Sequence, residues 1–246
     1  MTIEHVAHII YKGTIAHGAI FTAWSLWKRR WPLAQKLGAV ELFAWVAVAW
    51  IVHTWTFGRV PVRGPYETAL SLAFIGGLVL FGLSLLHKTP YMAFYPAAVF
   101  VLLLHGNRYE PGSGIAAPGT FAVLHFLVAY AVFGLALALM AGALLVLLRQ
   151  DAPLRRVFLP AYIAYAATIF IAGAFRLMTY GLSGQLDPME MIHLATFVLF
   201  SILIAVAALK RWEGRTATIC GLIGALAVLV SYRLVLLFPA GSSYHR

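Results

Sequence analysis

Residues 119–148, GTFAVLHFLVAYAVFGLALALMAGALLVLL, run for thirty positions with no Asp, Glu, Lys or Arg, and His125 is their one imidazole. A helix needs about 20 apolar residues to cross the hydrocarbon core of a bilayer. The stretch therefore predicts a membrane-spanning helix. Outward from it, similar runs at 5–27, 38–57, 67–86, 91–105, 157–178, 189–209 and 216–239 extend the pattern to eight predicted spans. The expected fold is all-α: a polytopic transmembrane helix bundle, one integral membrane domain over 1–246. A content of 62% hydrophobic and 11% charged residues, with a mean hydropathy of +0.88, excludes an ordinary soluble domain and leaves no room for a hidden catalytic one.

The net charge of +10 would suggest nucleic acid in a soluble protein. Here the positions of the charges explain it, and no nucleic-acid partner is expected. Lys28, Arg29, Arg30, Lys36, Lys88, Arg149, Arg155, Arg156, Lys210, Arg211 and Arg215 occupy alternate loops, eleven of the 18 basic residues. The positive-inside bias makes that side cytoplasmic. Both termini then face outward, into the periplasm if the lipid bilayer is a bacterial inner membrane. The start, MTIEHVAHIIYKG, has neither a basic leader nor a small-residue cleavage site, so no removable signal peptide is expected. Cys220 is the sole cysteine, which excludes an internal disulfide and any cysteine metal cluster.

This topology sorts the nine histidines. His5, His8, His53, His105, His125, His193 and His245 fall at or near the outer ends of spans, His17 is mid-span, and His87 is cytoplasmic. Imidazole is a poor lipid-facing group, and helical bundles hold cofactors with side chains on facing helices. Haem is the natural candidate, because neutral imidazole nitrogens serve as its axial ligands. For zinc, HxxxH and HExxH spacings are absent. Any one of these histidines can equally be a hydrogen-bonded interfacial residue; the clustering favours the cofactor.

Two outer stretches carry the remaining polar chemistry. In Arg176 to His193, RLMTYGLSGQLDPMEMIH, Asp187 reads as a helix N-cap, Pro188 as the first helical residue and Glu190 as the third, with His193 one turn on. In Gly58 to Glu67, GRVPVRGPYE, the glycines and prolines predict a rigid turn. There Arg59 and Arg63 are placed either to snorkel or to meet carboxylates, which would be haem propionates or Asp187 and Glu190. Glu67 opens the next span, where a carboxylate suits the positive helix end. His53, close to this turn, is expected near the surface.

Together these features resemble the cytochrome c assembly family of haem-handling membrane proteins, of the CcsA and CcmC type. Gly58, Pro61, Tyr66 and Glu67 are in register with a loop similar to G-H-F-P-L-S-N-L-Y-E. FAVLHFLVAY, residues 121–130, resembles the phrase W-L-M-M-H-V-x-M-x-x-x-Y and offers His125. Gly181, Asp187, Pro188 and Glu190 match a segment similar to W-G-x-Y-W-x-W-D-P-K-E, although Tyr180, Gly184 and Leu186 stand where the family has aromatic signature residues. The likeness covers about residues 40–246. It implies an outward haem b with His125 and His245 as axial metal ligands, His53 or His193 as substitutes, Arg59 or Arg63 on the propionates, and the segment with Asp187 and Glu190 as a platform. The implied partner is an apocytochrome c. The alternative, favoured by the missing tryptophans, is a CcsA-like membrane subunit, haem-binding or purely scaffolding, among the membrane or periplasmic redox subunits of an electron-transfer complex. A regulator of tetrapyrrole synthesis of the HemX type is a third, weaker possibility.

Overall fold

All eight apolar segments are helical in the computed structural model, which describes residues 3–27, 32–62, 64–108, 120–148, 152–180, 188–212 and 214–237. The α-helices are α1 (Ile3–Trp27), α2 (Pro32–Phe57), α3 (Gly64–His87), α4 (Tyr95–Gly106), α5 (Thr120–Leu147), α6 (Leu154–Tyr180), α7 (Pro188–Leu209) and α8 (Gly214–Leu237); a 3-10 turn, Tyr91–Phe94, leads into α4. No strand occurs among the described residues. Lipid offers no partner to a bare N–H or C=O, so apolar runs of this length close their hydrogen bonds within one helix. Hydroxyls inside these helices obey the same constraint. Thr14, Thr22, Thr54, Thr56, Thr168 and Ser201 each donate to the carbonyl four residues earlier.

Six helical segments are long and apolar enough to cross a membrane: Leu37–Phe57, Gly64–His87, Val123–Leu147, Leu154–Ala174, Glu190–Leu209 and Gly214–Tyr232. The chain is thus a multi-pass membrane protein suited to a lipid bilayer. Its exposed side chains fit that solvent. Trp55 (80%), Phe170 (76%) and Leu209 (82%) present most of their area outward, a cost in water and none in lipid.

Where one domain is expected, the helices sort into two units, Met1–Ala117 and Pro118–Arg246. In the first, α1 packs on α2 and α4, and α3 on α4 and α2. In the second, α5 packs on α6 and α8, and α7 on α8 and α6. Each is an antiparallel four-helix arrangement whose first helix meets its fourth. In the first unit Tyr11, Leu42, Tyr66, Leu70, Tyr95 and Leu103 are almost fully buried. Gly106 sets how close α4 comes: a Cβ there would collide with the Tyr11 hydroxyl and lie 2.7 Å from the Ala69 Cβ. In the second unit the core is α5, whose span is 67% buried, whereas α7 is 17% buried.

Candidate functional sites

In the first unit, the starts of α1 and α3 meet the ends of α2 and α4. Gly58 ends α2 in the left-handed region (φ +62°), and the Arg59 N–H donates back to the Thr54 carbonyl at 3.2 Å, the long bond of a Schellman turn. That turn sends Arg59 over the first turn of α3. Its Nη1 donates to Glu67 Oε2 at 2.6 Å and its Nη2 to Oε1 at 2.7 Å, a two-pronged pair. Glu67 is wholly buried, and His53 Nε2 lies 3.3 Å from its Oε1.

Aromatic rings and hydroxyls wall this ionic cluster. His53 packs on Phe57 (4.4 Å between ring centres) and Tyr66 (5.8 Å). Tyr11 stacks on Tyr66 at 4.1 Å and donates its hydroxyl to the Leu103 carbonyl at 3.0 Å. Trp50 Nε1 donates to Ser71 Oγ at 3.0 Å, and Ser71 donates to the Pro61 carbonyl. The last turns of α2, the loop and the opening of α3 are therefore one hydrogen-bonded piece.

Two expectations change here. Arg59 meets a carboxylate, but it is Glu67, eight residues on in the same hairpin, and this engages both guanidinium prongs. His53 is not near the surface: it is 2% exposed, because Tyr66 of α3 packs against it, with Tyr11 and His8 of α1 stacked in turn on Tyr66. Arg63 lies outside the described residues.

The second unit gathers the starts of α5 and α7 and the ends of α6 and α8. Tyr165 of α6 is fully buried. Its hydroxyl lies 3.1 Å from His193 Nδ1 and 3.2 Å from the His193 carbonyl oxygen. Tyr232 of α8 stands edge-on to His193 at 5.8 Å and donates its hydroxyl to the Ala129 carbonyl of α5 at 2.6 Å. Ala129 is one turn beyond His125. Tyr232 thus links His193 to the turn of α5 that follows His125. His125 is half-buried, and its Nδ1 is buried without a hydrogen-bond partner among the described residues.

The structure thus brings together His125 and His193, and separately His53 and Arg59. Glu190 is half-buried in the first turn of α7. Asp187 and His245 lie outside the described residues. Among the described residues no group of three or more His, Cys, Asp and Glu side chains could hold a metal ion, whereas axial haem ligation needs one or two imidazoles.

Two further residues, Glu67 and Tyr165, belong to these sites. Glu67 is expected as a helix-end charge and as a match to the family loop, and a lone acidic group in a 24-residue apolar helix is itself a signal of a partner or a function. Tyr165 carried no such signal. It is one tyrosine among 11, and only the packing of α6 on α7 gives it a role. Compared with known proteins, the chain matches no family model and no curated protein.

Proposed function

We propose that the protein is a haem-handling integral membrane protein of the cytochrome c assembly type. In this reading all eight helices span a bacterial inner membrane, both termini are periplasmic, and haem b is held at the outer end of the second unit with His125 as an axial ligand. One observation carries it: His125 has a buried ring nitrogen with no hydrogen-bond partner among the described residues, one turn from the carbonyl that Tyr232 ties to the His193 side of the unit. A buried polar atom left unpaired costs about 1–3 kcal/mol, which a bound ligand can offset.

The residues present fit the group. A bis-imidazole haem needs neutral rings on facing helices, and α5 and α7 supply one each. When bound, the haem supplies the chemistry of thioether formation on an apocytochrome c. The chain's own part is to orient the macrocycle, with Tyr165 and Tyr232 fixing the walls, and to shelter it from side reactions. Arg59 has no share in this, since both its prongs are on Glu67.

The second reading, a CcsA-like subunit of an electron-transfer complex, draws on α7. Met191, Leu194, Val198, Leu199 and Ile202 form an exposed apolar stripe there, which another membrane subunit could cover in place of lipid. A pyridine haemochrome spectrum of the purified chain tests the main proposal. Haem b is expected, lost on His125→Ala. A chain free of haem that also fails to take up added haemin would remove it, and stable association with redox subunits would then favour the second reading.

A further inference from the structure

The Tyr165 hydroxyl touches two atoms of one residue, the Nδ1 and the carbonyl oxygen of His193, at 3.1 and 3.2 Å, with the Ser231 and Thr196 side chains also beside it. A carbonyl oxygen can only accept, so both contacts are hydrogen bonds at once only when the phenol proton points to it. The phenol oxygen then faces Nδ1 with a lone pair, and Nδ1 completes the bond by carrying the ring proton. A neutral imidazole holds a single N–H. In that arrangement its Nε2 is left with a lone pair.

Metal-ligating histidines are held in this way, one ring nitrogen donating to a fixed acceptor while the other faces the metal. The acceptor here is fixed. Tyr165 is fully buried, with its ring against Phe197 (6.4 Å) and Phe200 (6.3 Å). The His193 ring is steadied on another side by Tyr232, at an interplanar angle of 76°, and Tyr232 is tied by its hydroxyl to α5 one turn from His125.

We infer that His193 binds the haem iron through Nε2, paired with His125, and that Tyr165 is the positioning residue that selects its tautomer. This rests on the haem-handling function proposed above. It gives the second axial position to α7, where the family resemblance would put it at His245.

The test has two parts, both on the full chain in detergent micelles. In haem-free protein labelled with 15N-histidine, the His193 signals are identified by their loss in His193→Ala. They are expected to show a protonated Nδ1 and a bare Nε2, a preference lost in Tyr165→Phe. A protonated Nε2 in the unsubstituted chain would overturn the role of Tyr165 without any haem being involved. Haemin is then titrated in. The unsubstituted chain is expected to give a six-coordinate, low-spin spectrum, which His193→Ala loses. Tyr165→Phe is expected to weaken haemin binding about 10-fold. Tyr162→Phe, which removes the hydroxyl bonded to Ser201 one turn earlier on α6, is expected to leave it unchanged. Binding that depends on His125 but is unaltered in His193→Ala would overturn the His193 ligand and leave the haem function standing. No haemin uptake by the unsubstituted chain would overturn the haem function and the ligand role together, and the tautomer would still be read.

Discussion

The two units solve one problem, polar side chains at the end of an apolar helix bundle, in opposite ways. The first closes its polar end with charge: Arg59 and Glu67 are paired prong to prong and His53 leans on the same carboxylate. The second, among the described residues around His193, sets neutral groups together: Tyr165, Tyr232 and two imidazoles, with the tyrosine hydroxyls on helix carbonyls. The difference teaches where ligand capacity is left. A buried ion pair satisfies its members and holds them, since removing one partner strands a charge. A neutral network can satisfy one nitrogen of a ring and leave the other a lone pair. The first unit is thus a lock around its ion pair, although His8 Nδ1 and His53 Nε2 there also lack a hydrogen-bond partner among the described residues, and the second leaves His125 Nδ1 unpaired among neutral groups.

The sharpest way to break this comparison is Glu67→Ala. It leaves Arg59 facing a buried, uncompensated site, and a loss of about 3–5 kcal/mol is expected, measured by unfolding in mixed micelles. The double variant Arg59→Ala with Glu67→Ala should recover part of that loss. If Glu67→Ala unfolds no more readily than the unsubstituted chain, the lock does not exist. A smaller effect is expected from Gly106→Ala, whose new methyl must push against Ala69 and the Tyr11 hydroxyl. A cost of about 1–3 kcal/mol in the same assay fits overpacking. The smallest belongs to the neutral unit. Tyr232→Phe removes one hydroxyl donor to Ala129 and should cost about 1 kcal/mol. A loss there as large as that of Glu67→Ala would erase the distinction between the two ends.

Much of this protein is legible along the chain. The uncharged run at 119–148 reads as helix because its length matches a bilayer, and α5 spans 120–147. Gly58 reads as a turn and takes the left-handed conformation that ends α2. Sequence spacing also put His53, His125 and His193 close to helix ends. The partners were not legible. Arg59 was matched to carboxylates far along the chain because charge alone names no distance, whereas the Schellman turn folds it onto Glu67. His53 reads as a residue near the surface because nothing in its own helix shows that Tyr66, backed by Tyr11, covers it.

What the sequence determined by itself is the set of helices and the solvent they suit, because the length and apolarity of a run are local properties. Tertiary packing alone decided which end holds ions and which holds neutral rings, and which nitrogen of His193 meets Tyr165. Those outcomes depend on distances of about 3 Å between residues 28 positions apart on neighbouring helices. The contact between Tyr165 and His193 exists only once α6 and α7 have packed.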